Sequence, residues 1–290
     1  MSDVYLNWFT TDEKFPFFIQ YGGHEEEMSL HQHVDFSELV IVLKGHATHV
    51  VNNEETFIKK GDAFVLNGGT QHAYKAPQDF KICNVMYKQE MLNTAGSDLR
   101  SLNGYQALFI LEPFYRNNNS YKSKLNMSIA SLEYVSAVVS TMVTEYELKQ
   151  PGHQTMLVSR FMELVVFLSR QYDHQEKGFA NSLMHLASAI SYIEDHFLEQ
   201  VTLEEIAARS GISVRHLNRI FQSYYQTTPI AYLQRLRLER ACTLLKQTNL
   251  TITEISYECG FNDSNYLTRQ FKRIHGMTPR TFRKHKSTMQ

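Results

Sequence analysis

The chain has 290 residues, 43% apolar and 20% charged, with a formal net charge of −1 at pH 7, so it is long and apolar enough to bury two cores. It holds no run of about 20 apolar residues that could span a bilayer, and the start Met1-Ser-Asp-Val is neither basic nor followed by an apolar stretch, which argues against a signal peptide or a membrane protein. Three scattered cysteines, Cys83, Cys242 and Cys259, argue against a disulfide framework and for a cytoplasmic protein.

Between Tyr5 and Met91 short β-type runs alternate with turn residues. Runs at 38–43, 47–51, 55–58, 62–66 and 80–87 are separated by Lys44-Gly45, Asn52-Asn53, Lys60-Gly61 and Gly68-Gly69, a spacing that predicts a small all-β barrel or jelly roll. Inside it sits a frame of His31-x-His33, Glu38 and Gly45, then Gly61-Asp62, Asn67, Gly69 and His72. This frame resembles the two cupin motifs, whose histidines and glutamate converge inside the barrel. Two positions depart from the enzyme pattern, Asn67 for the usual proline and Ala76 for the usual asparagine, and neither change removes a ligand. His31, His33, Glu38 and His72 can hold a divalent transition metal, but the same frame can line a pocket for an organic effector, and that is the reading adopted. An organic ligand with polar edges and C–H faces calls for hydroxyl-bonding groups and an aromatic face, so Trp8, Tyr21, His31, His33, Glu38, His72, Tyr74 and Tyr87 are the effector-pocket candidates, with no metal or other cofactor required.

Residues 92–127 are poorly periodic, with Asn117-Asn-Asn-Ser120 as an exposed loop. Two helical stripes follow, from Ile129 to Tyr146 and from Met156 to Tyr172, broken at Pro151-Gly152; such helices can cover a barrel or pair with a second protomer. The expected organisation is a cupin-like domain over 1–92, a loop and dimerisation helices over 93–173, a polar linker over 174–182 and a second domain over 183–290.

That second domain carries one supersecondary unit written twice, over 202–224 and 251–275. Leu203, Ile206 and Gly211 match Ile252, Ile255 and Gly260 at an offset of 49; after one inserted residue, Leu217, Arg219, Phe221 and Pro229 match Leu267, Arg269, Phe271 and Pro279 at 50. Each copy opens with a capping box, Thr202 with Glu205 and Thr251 with Glu254, and turns at a glycine suited to positive φ. A second helix follows, with apolar residues at 217, 220, 221 and 224 in one copy and at 267, 271 and 274 in the other. Two helices joined in this way make a helix-turn-helix, whose second helix is sized for a DNA major groove.

The chemistry of the polar faces separates this from an ordinary helical hairpin. Arg215, Asn218, Arg219 and Gln222 project from the first copy, and Asn262, Ser264, Asn265, Thr268, Arg269 and Lys272 from the second, side chains suited to base edges and phosphates. Residues 183–290 hold 14 Lys and Arg against 9 Asp and Glu, whereas 1–182 hold 15 against 21, so a basic module is joined to an acidic one.

With Glu258-Cys259-Gly260-Phe261 and Gly276-Met277-Thr278-Pro279 followed by Phe282-Arg283, the segment 183–290 resembles the DNA-binding domain of AraC/XylS-family transcription regulators. In that family a long helix bridges the two units, and Pro229 to Lys246 supplies it here. The resemblance implies an α+β multidomain protein: an N-terminal cupin-like β-barrel with following helices, and a C-terminal all-α double helix-turn-helix domain whose two reading helices enter successive major grooves roughly 34 Å apart. By the same resemblance Arg215, Asn218, Arg219, Ser264, Asn265, Thr268 and Arg269 read bases, while Gln222, Lys272, Arg273 and Arg283 hold phosphates. The stretches from His33 to Val42, Asn84-Val-Met-Tyr87 and Glu258 to Tyr266 are most similar to the L-rhamnose operon regulators of that family. This implies a sugar-responsive activator of a carbohydrate-use operon, acting as a homodimer on promoter DNA with RNA polymerase as partner. The second reading, a metal-binding cupin enzyme fused to a DNA-binding module, predicts tight metal binding and turnover.

Overall fold

The computed structural model describes residues 2–10, 12, 14–24, 26–92, 98–111, 113, 124–175 and 182–287. The chain divides into two compact units, Met1–Ala187 and Ser188–Gln290, five residues later than the expected start of the second domain. The 117–120 loop and most of the expected linker lie outside the described residues.

Among the described residues the first unit holds an eight-stranded sheet built on two long strands, Ser37–Val51 (β4) and Gln71–Tyr87 (β7), which pair antiparallel from Ser37↔Tyr87 to Val51↔His72. The others are Ser2–Val4 (β1), Phe17–His24 (β2), Met28–His33 (β3), Glu54–Lys59 (β5), Asp62–Leu66 (β6) and Leu125–Asn126 (β8), in the order β1-β3-β7-β4-β6-β8, with β2 on β7 and β5 on β4. The turns at Asn52-Asn53, Lys60-Gly61 and Gly68-Gly69 are where the spacing places them. Lys44-Gly45 is not a turn. β4 runs through it, and the register shifts between Val42 and Thr48. Gly45 has φ +68, and a Cβ there would stand 2.1 Å from the Gln78 carbonyl oxygen, so the position admits only glycine.

Both faces of this sheet are covered along β6 and the first half of β4, which is why those stretches read as nearly continuous apolar runs. One face carries Val40, Val42, Ala47, Ile58, Phe64, Leu66, Tyr74, Phe80 and Ile82 as one buried cluster. Phe17 and Tyr87, on the other, pack on Phe161 with ring centroids at 5.5 and 4.8 Å. Phe161 belongs to α2 (His153–Gln175), which packs against α1 (Ile129–Leu148). Residues 103–111, without visible period in the sequence, are a buried helical segment, with Tyr105, Ala107, Leu108, Phe109 and Leu111 at most 1% exposed. Gly104 lets it approach α2, since a Cβ would fall 1.8 Å from the Ser169 carbonyl oxygen.

The division between the units falls inside α3 (Ser182–His196). In the second unit both capping boxes form and start α4 (Leu203–Arg209) and α7 (Ile252–Glu258). Gly211 and Gly260 turn the chain at φ +69 and +75 into α5 (Val214–Tyr225) and α8 (Ser264–His275). α6 (Pro229–Gln247) bridges the two copies, and α9 (Pro279–Ser287) closes the second. Leu217, Ile220, Phe221 and Tyr224 are buried as the stripe predicts, and so are Leu267 and Phe271; Ile274 is not, at 49% exposure. In its place His275, tilted, and Phe282, edge-on, pack against Phe271 with ring centroids at 4.4 and 5.3 Å and complete that core.

Candidate functional site

The second unit presents two polar helix faces opposite its two buried stripes. On α5, Arg215, Arg219 and Gln222 are exposed, while the half-buried Asn218 donates its amide to the Val214 carbonyl at 3.2 Å. On α8, Asn265, Arg269, Lys272 and Arg273 are exposed. Ser264 and Thr268 are half-buried, and the Thr268 hydroxyl donates to the Ser264 carbonyl at 2.8 Å. Positions 215, 218, 219 and 222, and likewise 265, 268, 269 and 272, fall on one face at helical spacing, and neither helix carries an acid. Base-edge donors in the first two turns with cations behind them suit a groove floor and its phosphate walls.

Two residues leave this surface. Arg283 turns inward, its guanidinium donating to the Leu250 carbonyl at 2.6 Å with Nε buried, so it holds a turn rather than a phosphate. Asn262 precedes α8, outside the reading face, and donates to the Gln200 side chain at 3.1 Å.

In the first unit the sheet gathers four imidazoles and a carboxyl. His31↔His72 and Val51↔His72 are register partners, and His49 pairs with Tyr74. His33 Nε2 lies 3.7 Å from Glu38 Oε2 and 3.3 Å from His72 Nε2, and His72 Nδ1 lies 3.4 Å from His49 Nε2. His31 stacks beside His72 at 4.2 Å, and its Nδ1–H donates to the Ser29 carbonyl, which leaves Nε2 as an acceptor. His33, Glu38, His49, His72 and Tyr74 are each at most 3% exposed. Burial, reinforced by His31, pushes the His33 imidazole down to about 3, and burial pushes the Glu38 carboxyl up to about 8. At neutral pH their contact therefore joins two neutral groups.

The sequence-chosen pocket residues divide accordingly. His31, His33, Glu38, His72 and Tyr74 come together; Tyr21, Tyr87 and Trp8 do not. Tyr21 pairs with Cys83, and Cys83 with Ile41, which puts Tyr21 on the sheet face opposite Val40; it hydrogen-bonds Ser140 of α1. Tyr87 is buried on that same helix-covered face. Trp8 is 63% exposed, its ring contact being Tyr5 at 6.0 Å. Two residues were missed. His49 extends the imidazole chain, and Asn84, paired with Val40 and so on the cluster's face, keeps a buried Oδ1 without a hydrogen bond.

His31, His33 and His72 offer nitrogens all within 4.8 Å of one another. Two imidazole nitrogens on one tetrahedral ion at about 2.0–2.1 Å stand roughly 3.3 Å apart, so the His33–His72 spacing fits such an ion. A bound ion would supply a Lewis acid for a hydroxyl oxygen. The protein's own contribution is the burial that holds the His31 and His33 imidazoles toward their neutral form.

A family model described as an AraC-like ligand binding domain matches residues 17–165, and one described as a helix-turn-helix domain matches 206–285. The chain belongs to the AraC family. It is similar to the HTH-type transcriptional activator RhaR of Mannheimia succiniciproducens, 26% identical over 289 residues and 98% of each chain. Similarity to the activator RhaS of Escherichia fergusonii reaches 31% over 255 residues, 87% of this chain and 86% of that one. Among solved structures, an AraC-type transcriptional regulator from Chromobacterium violaceum is 35% identical, covers 37% of this chain and 95% of its own, and has a TM-score of 0.34. The regulator described here thus has a DNA-binding domain and a domain for a small-molecule effector; its relatives are named transcriptional activators, and the metallo-cupin enzyme reading finds no support in them. Among the described residues no helix is long and apolar enough to cross a membrane.

Proposed function

We propose that this protein is a cytoplasmic, sugar-controlled transcription activator, with L-rhamnose as the first effector to test, acting as a homodimer through α1 and α2 on promoter DNA beside RNA polymerase. The observation that carries the effector reading is the enclosed polar cluster of the first unit. Buried polar atoms are nearly always hydrogen-bonded, yet His33 Nδ1 and Asn84 Oδ1 have no partner among the described residues. A polyol supplies hydroxyls that donate and accept, and the cluster meets it with imidazoles, of which buried His33 is neutral, and the protonated Glu38 carboxyl. The names of the similar activators RhaR and RhaS support rhamnose as the sugar.

In this reading Arg215, Asn218, Arg219, Ser264, Asn265, Thr268 and Arg269 read bases, and Gln222, Lys272 and Arg273 hold phosphates. The sugar acts by binding one arrangement of the domains more tightly than another, which shifts the population toward the form that engages DNA. The test is a melting-shift screen of the whole protein against L-rhamnose and related sugars, with and without a divalent metal. A sugar-specific rise in the first unit's transition is expected. No rise with any sugar sinks the effector assignment, and a rise only with metal present makes the ion part of the site.

A further inference from the structure

The loop between α3 and α4 is held from two sides by residues that read no DNA. From one side Arg237 of α6, only 6% exposed, donates Nε to the Phe197 carbonyl at 2.7 Å and a terminal nitrogen to the Glu199 carbonyl at 2.5 Å. From the other, Gln200 donates to the Gly260 carbonyl at 3.3 Å and accepts from Asn262 at 3.1 Å. The backbone is close as well: a Cβ on Gly260, whose φ is +75, would stand 2.7 Å from the Leu198 carbonyl oxygen. Arg237 also lies over the Phe261 ring at 5.7 Å. Directly after this turn comes Asp263, whose carboxylate accepts from the Asn265 and Tyr266 amides and starts α8. The contacts therefore run from the bridging helix, through the carbonyls of residues 197–199, across Gln200, to the residue that fixes the start of the second reading helix.

We propose that Arg237 and Gln200 are positioning residues for α8: they set where the second reading helix starts relative to the bridging helix, and hence whether α8 and α5 reach two successive grooves together. Arg237 is a guanidinium that sequence reasoning counts toward the basic DNA footprint, but its donors are spent on carbonyls inside the domain. A planar fork satisfies two carbonyls from one fixed position, as a lysine ammonium on a flexible stem does not.

The proposal rests on the reading of α8 as a DNA-contacting helix, and the experiment separates the two. The probe is a duplex selected by the wild-type full-length protein from a randomised library, read by phosphate-ethylation interference at fixed salt. Arg219→Ala and Arg269→Ala first assign the protected patches to α5 and α8; if Arg269→Ala changes no patch, the reading of α8 falls and the proposal with it. Gln200→Met, an exposed substitution that keeps length and removes both hydrogen bonds, is then expected to weaken binding roughly tenfold, about 1.4 kcal/mol. The loss is expected in the α8 patch alone, with the melting curve unchanged. Asn262→Ala added to Gln200→Met should have no further effect, and Arg237→Lys should reproduce the same one-patch loss. Should Arg237→Lys unfold the domain, the Gln200 and Asn262 variants decide by themselves. Equal fading of both patches, or unchanged binding by Gln200→Met, overturns the proposal.

Discussion

The two units put their candidate site groups in opposite environments. In the DNA-binding unit Arg215, Arg219, Asn265, Arg269 and Lys272 stand in solvent on helices whose other sides are buried. In the effector unit His33, Glu38, His49 and His72 are part of the interior itself. An exposed side chain can be exchanged with little change in stability, while a buried polar group is held by its partners and holds them in turn. Stability and recognition should therefore be separable in the first case and coupled in the second.

The largest effect that tests this separation is a scaffold substitution. Phe271 is fully buried among Leu267, His275 and Phe282, and Phe271→Ala should cost about 3–5 kcal/mol of the second unit's stability, read by denaturant unfolding. Arg269→Ala, two residues away, should stay within about 0.5 kcal/mol by the same measurement while weakening DNA binding. A stability loss at Arg269 comparable to that at Phe271 would break the contrast. In the effector unit His72→Ala should do both things at once. It withdraws a ring that His33 and His49 both meet, costing roughly 1–3 kcal/mol, and should abolish the sugar-induced melting shift. Lost stability with an intact sugar response would place the effector elsewhere.

The same contrast explains what the sequence revealed. The double helix-turn-helix was legible down to its caps because its determinants are local: Thr202 and Glu205, Gly211, and a stripe at helical spacing each act within a few residues. The Ile274 position was not, because its burial is decided by Phe282, on a later helix. In the β unit the histidine frame was legible as spacing, but His49 was hidden by a change of parity. Residues 38, 40 and 42 share the interior face, and the bulges around Gly45 shift that face to 47 and 49, so alternation counted straight along β4 points His49 outward. Tyr21 was misplaced for the related reason that both sheet faces are apolar; composition does not say which one holds the cluster.

Arg219→Ala should cost about 1–3 kcal/mol on the selected site and relax preference at one base, measured with single-base variants of that site. An equal loss on every variant would move Arg219 from the bases to the backbone. In the effector unit the corresponding single-group effect is seen in pH. Glu38 has its value raised from 4.5 to about 8, so between these limits the folded state keeps a proton that the unfolded chain gives up, and stability falls as pH rises. His33 is lowered from 6.5 to about 3, so its contribution falls as pH drops through that window. The two oppose each other between 4.5 and 6.5. From 6.5 to 8 Glu38 acts without opposition from His33, and the first unit's melting temperature should decline, with a slope from this group of at most about 1.4 kcal/mol per pH unit. Glu38→Gln, which keeps the neutral shape, should remove that slope; if the slope persists, another group carries it.

The smallest effect distinguishes two kinds of exposed cation on the same helix. Lys272 lies in the last turn of α8, one turn beyond Arg269 and away from the helix start that enters a groove first. In the proposed reading a point charge there meets phosphate, whose contribution comes from released counterions and is blind to sequence. Lys272→Ala should thus weaken the selected duplex and a scrambled one by the same factor, and lower the slope of log affinity against log salt by about 1. Because the loss shrinks as salt rises, the titration must begin at low ionic strength. A loss confined to the selected duplex, with the salt slope unchanged, would make Lys272 a base reader and extend the reading face of α8 by a full turn.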